Sequence, residues 1–383
     1  MANIIGTDNG ETLNGVVGEV NFIDGKGGDD TLFGGSLPDT ILGGSGNDQI
    51  FGSFGDDAIN SGTGNDQISG GTGDDTIDLT QGVAGDVKQV QGDQGDDWIN
   101  AGAGVDHISG GQGTDVVDYS FSAAAVTVDL QAGKGTGGLA EGDTYLSVED
   151  ILGSAGDDVL AGNGAFNTIN GGAGNDTIRG GAGGDLLDGG AGSDWLSYSG
   201  STAAVIVNLR TGDAKGGHAE GDSFHNFENL RGSQFGDSLS GDVGNNILEG
   251  RQGYDKLFGN AGNDTLVGGT GPDELWGGTG ADRFDFNGIE DSLRSERDSI
   301  RDFNRAEGDH IDLADIDANT LAAGDQAFSF IGTAAFGGIA GELRYVFNGA
   351  VATVFGDING DSSADFAIEV DHTPSLFVTD FIV

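Results

Sequence analysis

Side chains that end in an oxygen recur in this chain every nine residues, in four arrays that cover residues 25–78, 92–118, 153–197 and 232–285. Each nine-residue unit follows the pattern G-G-x-G-x-D-x-U-x, in which U is aliphatic in every unit except at Phe284. Oxygens repeated in this number are suited to holding hard cations. The sixth places of the successive units are Asp30, Asp39, Asp48, Asp57, Asp66, Asp75, Asp97, Asp106, Asp115, Asp158, Asn167, Asp176, Asp185, Asp194, Asp237, Asn246, Asp255, Asp264, Asp273 and Asp282.

The spacing also predicts how these oxygens are brought together. In each unit the glycine-rich part is expected to form a turn and x-U-x a short strand, with the eighth residue pointing inward. Two units make one turn of a flattened right-handed coil, so units 18 residues apart stack at about 4.8 Å. Asp30, Asp48 and Asp66 then form a column of carboxylates that repel one another, and the alternate units form a second column. No lysine is expected between them.

Calcium is the cation that fits this prediction. It takes six to eight oxygens at about 2.4 Å, and backbone carbonyls in the turns can complete its shell. Magnesium fits poorly, because it requires a small, nearly octahedral shell and keeps its waters. If each site needs two units 18 residues apart, the arrays provide roughly a dozen sites.

The nonapeptides resemble the glycine-rich repeats of RTX proteins, whose calcium-bound form is a parallel β-roll. The resemblance implies an all-β fold with a parallel β-roll (β-solenoid) of Gly/Asp-rich nonapeptides. Alternating apolar residues in the inserts and after residue 285 further predict β inserts and a small C-terminal β-rich domain. The resemblance also implies that the sixth-place residues and nearby turn carbonyls are calcium ligands. Asn167, Asn246 and the Leu37–Pro38 pair depart from the consensus, and weaker or absent sites are expected there.

Composition excludes several other classes of protein. The 76 glycines and the net charge of −48 would by themselves indicate disorder, but a disordered chain has no reason to keep a strict period. With 63 acidic and 15 basic residues, binding to nucleic acid is disfavoured. The absence of cysteine excludes disulfides and thiolate metal sites, and no apolar run is long enough for a membrane span.

Inserts separate the arrays. Residues 119–154 align without gaps with residues 198–233, and residues 79–91 form a smaller insert. The acidic residues of the two long inserts, Glu141, Asp143, Glu220 and Asp222, are expected to be solvated. The predicted organisation is an N-terminal cap (1–24), arrays one and two (25–118), an insert (119–152), array three (153–197), an insert (198–231), array four (232–285) and a C-terminal domain (286–383).

The C-terminal segments GADRFDFNGIEDS, RDSIRDFNRAEGDHIDLADIDA and DINGDSSADFAIEV resemble the C-terminal domain of serralysin-type metalloproteases. That resemblance implies that the terminal residues 380–383, DFIV, belong to an uncleaved type I secretion signal. The expected partners are then calcium ions and the type I secretion machinery, and the expected location is extracellular. This would explain an N-terminus, MANIIGTDNGETLNG, without a recognisable signal peptide.

Catalytic motifs are missing from the chain. No two of its five histidines are four residues apart, so the zinc-binding H-E-x-x-H motif is absent, and so is a G-x-S-x-G nucleophile elbow. The G-x-G-x-x-G matches are not followed by a helical pattern, which argues against dinucleotide binding. The chain is therefore expected not to be an enzyme.

Three weaker patterns leave alternatives open. Asp357, Asn359, Asp361 and Asp365 have calcium-loop spacing but depart from the EF-hand pattern, so a polar turn is the alternative. Five arginines between 283 and 305 could neutralise the acidic end of the roll and dock the C-terminal domain, or bind an anion. The pairs Phe33/Phe51 and Phe258/Trp276 are each 18 residues apart and should stack on an outward face, where they could pack or bind sugar rings.

The sequence thus predicts a secreted, non-enzymatic calcium-binding protein whose β-roll folds on binding several extracellular Ca²⁺ ions. Two alternatives are an extracellular adhesin that binds carbohydrate or protein, and a non-catalytic accessory part of a secreted hydrolase or polysaccharide-modifying enzyme.

Overall fold

A computed structural model describes residues 1–383, which divide into two compact units, Met1–Asp194 and Trp195–Val383. Their regular structure is 39 β-strands and four short 3₁₀ helices, Gly138–Ala140, Gly217–Ala219, Ile289–Ser292 and Val378–Asp380. No helix has both the length and the apolar character needed to cross a membrane.

The strands of the first unit are β1 (Ala2–Ile5), β2 (Thr12–Asn14), β3 (Asn21–Asp24), β4 (Thr31–Gly35), β5 (Thr40–Leu42), β6 (Gln49–Phe54), β7 (Ala58–Asn60), β8 (Gln67–Thr72), β9 (Thr76–Asp78), β10 (Val87–Gln94), β11 (Trp98–Asn100), β12 (Val105–Gln112), β13 (Val116–Asp118), β14 (Thr127–Asp129), β15 (Lys134–Thr136), β16 (Thr144–Leu146), β17 (Asp150–Leu152), β18 (Val159–Ala161), β19 (Thr168–Asn170), β20 (Thr177–Arg179) and β21 (Leu186–Asp188).

The strands of the second unit are β22 (Trp195–Ser197), β23 (Ile206–Asn208), β24 (Asp213–Lys215), β25 (Ser223–His225), β26 (Asn229–Arg231), β27 (Ser238–Ser240), β28 (Ile247–Gln252), β29 (Lys256–Ala261), β30 (Thr265–Thr270), β31 (Glu274–Thr279), β32 (Arg283–Asp285), β33 (Ser299–Ile300), β34 (His310–Asp312), β35 (Ser329–Phe330), β36 (Glu342–Phe347), β37 (Val351–Asp357), β38 (Phe366–Asp371) and β39 (Phe381–Ile382).

In the first unit, odd and even strands form two sheets, because successive units alternate between the two sides of a coil. The sheets are parallel apart from β15, which pairs antiparallel with β14 and β16. One sheet runs β1-β3-β5-β7-β9-β11-β13-β17-β19-β21, and the other begins β2-β4-β6-β8-β10-β12-β16. Ile50 lies opposite Ile68, and Ile59 lies opposite Ile77. The predicted period of 18 residues and the parallel β-roll are therefore confirmed.

The eighth-place residues form the core, as strand alternation requires. Leu32, Ile41, Ile50 and Ile77 are completely buried, while the flanking seventh and ninth places are partly or fully exposed. The core is a narrow ladder of aliphatic side chains between the two sheets. The glycine-rich turns form the edges of this ladder, and the acidic side chains lie in these turns.

The inserts contribute strands to the roll itself. In the first long insert, β16 and β17 pair in parallel with β12 and β13 and so continue both sheets. The 79–91 insert leads into β10, which pairs with β8. The roll therefore continues where the nine-residue pattern is interrupted.

In the second unit, one sheet runs β22-β26-β28-β30-β32-β34-β39, and the other includes β27-β29-β31-β33-β38-β37-β36-β35. The roll sheets thus extend beyond residue 285 through β33 and β34. Arg301 joins the two parts by ion pairs with Glu274 on β31 and with Asp371 on β38, the latter at 2.8 Å. The Arg301 pairs favour the predicted docking role of the arginines, whereas Arg305 pairs at 2.5 Å with Asp380 inside the C-terminal region.

The predicted aromatic stacks are confirmed within each unit. The ring centroids of Phe33 and Phe51 are 5.0 Å apart, and those of Phe258 and Trp276 are 4.5 Å apart, both nearly parallel. Each ring therefore covers one face of its partner, as in a packing ladder between neighbouring strands.

Candidate metal sites

The sixth-place carboxylates are buried along the turns, and in every one except Asp106, whose two oxygens are both unpartnered, one oxygen accepts a main-chain amide. The amide of Asp30 donates to Oδ1 of Asp48 at 2.9 Å, and the amide of Asp48 donates to Oδ1 of Asp66 at 3.0 Å. In the second unit the amide of Asp255 donates to Oδ1 of Asp273 at 2.8 Å. Aspartate at this place therefore links neighbouring turns even without a cation.

The second oxygen, Oδ2, has no hydrogen-bond partner in most units. An ionised carboxylate that is buried with an unsatisfied oxygen is costly, so these atoms indicate where a cation is needed. We call such a unit an open turn. The unpartnered Oδ2 atoms belong to Asp30, Asp39, Asp48, Asp57, Asp75, Asp97, Asp106, Asp115, Asp176, Asp255, Asp264, Asp273 and Asp282.

Burial changes the acidity of these groups. Loss of solvation raises the pKa of Asp57 and of Asp75 to about 7, and the pKa of Asp255 to about 8. Neighbouring carboxylates in the same column raise these pKa values further, whereas the amide hydrogen bonds lower them. In the absence of a metal ion, these side chains would therefore hold protons near neutral pH.

The first-place glycines leave space beside these oxygens. A Cβ atom placed on Gly25 would lie 2.6 Å from Oδ2 of Asp30 and 2.6 Å from the carbonyl oxygen of Gly43 in the next turn. On Gly250, it would lie 2.5 Å from Oδ2 of Asp255. A side chain at the first place would therefore fill a space into which carboxylate and carbonyl oxygens point.

One turn shows directly that these oxygens converge on a cation. The ammonium group of Lys88 lies 2.5 Å from Oδ2 of Asp66, 3.0 Å from the carbonyl oxygen of Gly62 and 3.1 Å from that of Gly64. Gly62 and Gly64 are the second and fourth places of the Asp66 unit. We call these two carbonyls and the sixth-place carboxylate the oxygen cage of a unit. The expectation that no lysine lies among the carboxylates is therefore wrong, because the 79–91 insert brings Lys88 into the column.

The oxygen cage fits calcium. Calcium accepts carboxylate and carbonyl oxygens in flexible geometry, and both kinds are present at these turns. No three His, Cys, Asp or Glu side chains gather to hold a metal. A site of this kind therefore depends on main-chain carbonyls as much as on aspartates, and calcium would supply the positive charge that the open turns lack.

Four units differ from the open turns, because their own groups satisfy the sixth-place side chain. Oδ2 of Asp158 accepts the amide of Ser154 at 2.5 Å, and Oδ2 of Asp237 accepts the amide of Ser233 at 2.5 Å. The other two sixth places are asparagines, and we call all four units closed turns.

In the two asparagine units, the side-chain amide takes the place of a cation. Nδ2 of Asn167 donates to the carbonyl of Glu149 at 2.6 Å, and Nδ2 of Asn246 donates to that of Glu228 at 2.7 Å. This arrangement agrees with the expectation of weak or absent sites at Asn167 and Asn246. At Leu37–Pro38, by contrast, Oδ2 of Asp39 is unpartnered as in an open turn.

The second place of the unit differs between the closed turns and most open turns. It has positive φ in most open turns, for example +103° at Gly44 and +85° at Ser53, and also +80° at Gly62 of the Lys88 cage. In the four closed turns the second-place residues Ser154, Asn163, Ser233 and Asp242 do not have positive φ. Their amides donate to the sixth-place side chain at 2.5 to 2.8 Å.

Two further predicted ligands lie in the same columns. Oδ1 of Asp185 accepts the amide of Asn167 at 3.0 Å, and Oδ1 of Asp194 accepts the amide of Asp176 at 2.7 Å. Both side chains are buried.

The structure adds column residues that the nine-residue pattern did not identify. Oδ1 of Asp143 accepts the amide of Asp106 at 2.8 Å, Oδ1 of Asp298 that of Asp273 at 2.8 Å, and Oδ1 of Asp309 that of Asp282 at 3.1 Å. Oδ2 of Asp298 is buried and unpartnered, as in the open turns. These residues share a sequence feature, an Asp-x-apolar triplet without preceding glycines, as in Asp298-Ser299-Ile300. A search for this triplet could have identified them.

The expectation that the acidic insert residues are solvated is wrong for two of them. Asp143 and Asp222 are buried, and their Oδ2 atoms accept the hydroxyls of Tyr119 at 2.7 Å and of Tyr198 at 2.9 Å. Asp143 and Asp222 are buried because the inserts that contain them complete turns of the roll. Glu141 and Glu220 are exposed, as expected.

The C-terminal DINGDSSAD segment forms a hydrogen-bonded turn. Asp357 accepts the amides of Gly360 at 2.7 Å and Ser362 at 2.9 Å, and Asp365 accepts the amide of Ile358 at 2.8 Å and Nδ2 of Asn359 at 2.9 Å. Asp361 accepts the amide of Ser363 at 2.8 Å. These contacts are those of the polar-turn alternative, and calcium binding here stays a prediction.

Fold and site together define a calcium-binding parallel β-roll. The family model of the RTX calcium-binding nonapeptide repeat (4 copies) matches about half of the chain, at residues 18–50, 34–68, 51–83, 89–118, 162–196, 227–257 and 258–288. The chain therefore belongs to the RTX calcium-binding nonapeptide repeat family.

Among solved structures, the chain is similar to the solution structure of the AlgE6R3 subunit from the Azotobacter vinelandii mannuronan C5-epimerase. The two are 29% identical, the match covers 39% of this chain and 78% of that chain, and the TM-score is 0.30. No curated protein matches the chain.

Proposed function

We propose that this chain is a secreted, non-catalytic protein whose β-roll folds when calcium binds outside the cell. The observation that supports the proposal is the set of buried, unpartnered Oδ2 atoms in the open turns. The proposed ligands are the open-turn aspartates, Asp185, Asp194 and Asp298, together with carbonyls of their turns. The closed turns are proposed to bind no ion.

The energetic basis is linkage between metal binding and folding. A buried carboxylate without a counter-charge costs several kcal/mol, and this chain has a net charge of −48 with few basic residues to compensate. A cation that binds only the folded roll therefore contributes its binding free energy to folding. At low calcium, carboxylate repulsion and the backbone entropy of glycine favour the unfolded chain.

Export through a type I pathway is part of the same proposal. RTX repeats generally occur in secreted proteins. Asp380 is buried against Arg305, and Phe381 pairs with Ile311 of the roll sheet, so the terminal segment is folded in this structure. An unfolded chain in a low-calcium cytosol would leave this segment accessible to the export machinery. The resemblance to the serralysin-type C-terminal domain stays a prediction.

Circular dichroism tests calcium-dependent folding. The full chain is measured in chelator, then with calcium added to about 10 mM, and in parallel with magnesium at equal concentrations, which should fit poorly. We expect β-sheet signal to appear with calcium and not with magnesium. A full β-sheet signal in chelator, or an equal gain with magnesium, would contradict the proposal.

Export is tested separately by expressing the chain with and without residues 380–383 beside a type I exporter. The full chain should accumulate in the medium and the shortened chain in the cells. Equal amounts of both in the medium would contradict the assignment of the secretion signal.

A further inference from the structure

Lys88 stands at a sixth place of the roll, where all twenty units of the nine-residue pattern have an aspartate or asparagine. In the parallel pairing of β10 with β12, Lys88 lies opposite Asp106, and the adjacent Gln89 lies opposite Gln67 on β8. The side chain of Lys88 is completely buried. The lysine is therefore a member of the carboxylate column and not a surface residue that reaches into it.

The environment of the ammonium group is that of a bound cation. A lysine ammonium has three N–H donors, and this one has three acceptors, Oδ2 of Asp66 and the carbonyls of Gly62 and Gly64. A buried charge is tolerated when it is both paired and fully hydrogen-bonded. All three ammonium donors of Lys88 are thus satisfied by one oxygen cage.

The preceding turn in the column provides a matched comparison. Asp48 and Asp66 are both buried, and Oδ1 of each accepts the amide of the aspartate 18 residues earlier. Oδ2 of Asp48 has no partner, whereas Oδ2 of Asp66 is paired with Lys88. The two turns therefore differ in whether the chain itself provides the cation.

The 79–91 insert holds the lysine in this position. Lys88 follows Asp66 by 22 residues instead of 18, and Oδ2 of Asp86 accepts the amides of Gly64 at 2.9 Å and Val83 at 3.0 Å. The insert is thus anchored to the same turn that the ammonium enters.

We propose that the Lys88 ammonium replaces a calcium ion in the oxygen cage of Asp66, so that this turn closes without calcium and binds none. The inference rests on the proposed function, in which the open turns bind calcium. Because the lysine is covalently attached, the Asp66 turn is closed at any calcium concentration at which the chain folds. The column of calcium ions is then interrupted between Asp48 and Asp106.

Counting bound calcium tests this inference. Purified full-length chain is equilibrated with calcium, and the bound ions per chain are measured by equilibrium dialysis and elemental analysis. Lys88→Asp restores the acidic side chain of the column, and Lys88→Ala empties the cage. Both variants should bind about one more calcium ion per chain than the natural sequence. Lys134→Asp and Lys134→Ala are the matched controls, since Lys134 is exposed, and their counts should not change.

The outcomes separate the two proposals. A natural chain that binds no calcium would contradict the proposed function. A natural chain that binds calcium, with the same count in both Lys88 variants, would overturn the inference alone. If Lys88→Asp does not fold, the number of calcium ions bound by Lys88→Ala alone decides whether the inference holds. Failure of both variants to fold in saturating calcium also overturns the inference, because calcium would then be unable to replace the ammonium.

Discussion

Residues 43–78 and residues 153–170 have the same nine-residue spacing, yet they differ in whether their buried sixth-place side chains have hydrogen-bond partners. In 43–78, Oδ2 of Asp57 and of Asp75 has no partner, and the second-place Ser53 has a φ of +85°. In 153–170, the amide of Ser154 donates to Asp158, and Asn167 donates to a main-chain carbonyl.

The difference shows that the repeat pattern specifies the position of an oxygen cage, but not whether the cage needs a cation. Ser154 and Ser53 are the same residue type at the same place of their units, and the turn differs in the sign of φ. The closed turns Asp158 and Asp237 directly follow the two long inserts. The two asparagine units come next, so the first two units of arrays three and four are closed by the chain's own groups, whereas most other units are proposed to bind an ion.

The largest expected effect is a regional difference on calcium depletion. If open turns bind calcium and closed turns do not, as proposed, amides of residues 43–60 should lose protection from hydrogen exchange at higher calcium than those of 153–170. Hydrogen exchange with mass spectrometry at stepwise lower calcium measures this difference. Loss of protection in both segments at the same calcium concentration would contradict the distinction between open and closed turns.

A second difference is expected with pH in calcium-free solution. The folded-state pKa is about 7 for Asp57 and about 8 for Asp255, above the value of about 3.9 of an unfolded aspartate. The folded chain therefore binds more protons, and its stability should rise as the pH falls and be lost as the pH rises through about 7 to 8.

The β-sheet signal in calcium-depleted buffer is therefore expected to be larger at about pH 5.5 than at about pH 8, and circular dichroism measures it. With calcium present the trend should reverse, because protons and calcium compete for the same oxygens. An unchanged signal between the two calcium-depleted samples would argue against protonation of the open turns.

A matched pair of substitutions compares the two kinds of turn directly. Asp57→Asn removes a proposed ligand and should lower the free energy of unfolding in saturating calcium by about 3 kcal/mol, the linkage free energy of one site at ~100 times its Kd. The carboxylate oxygens of Asp158 already accept hydrogen bonds from the chain. Asp158→Asn should therefore lower the free energy of unfolding by only about 1 kcal/mol. Urea unfolding at several calcium concentrations measures both, and equal, calcium-independent losses would refute the assignment.

The smallest effect concerns the second place. Ser53→Gly relieves the positive φ of a non-glycine residue and should stabilise the chain by about 0.5 kcal/mol, after the entropic cost of glycine is subtracted. Ser154→Gly removes the 2.7 Å hydrogen bond from the serine hydroxyl to Asp158 and should destabilise the chain by about 1 kcal/mol. Thermal unfolding in calcium should show opposite shifts. Shifts of the same sign would mean that the sign of φ does not govern these turns.

Much of the fold could be predicted from the sequence, because each unit repeats the same local rules. Positive φ is common for glycine, strand alternation places the eighth residue inside, and two units per coil give the register of Ile50 with Ile68. The aspartates that offer an oxygen to each turn could be predicted in the same way. The buried aspartates Asp143 and Asp298 were not identified by the nine-residue pattern, because their units lack the glycines and lie at irregular spacing.

The sequence by itself determined the parallel β-roll, its period of 18 residues and the placement of acidic side chains along its turns, since these follow from local periodicity. Only the tertiary structure decided which turns lack a counter-charge. That property depends on groups far apart in the chain, such as Lys88 beside Asp66 and the Glu149 carbonyl beside Asn167. Whether a buried oxygen has a partner is decided by packing between turns, which no single nine-residue unit specifies.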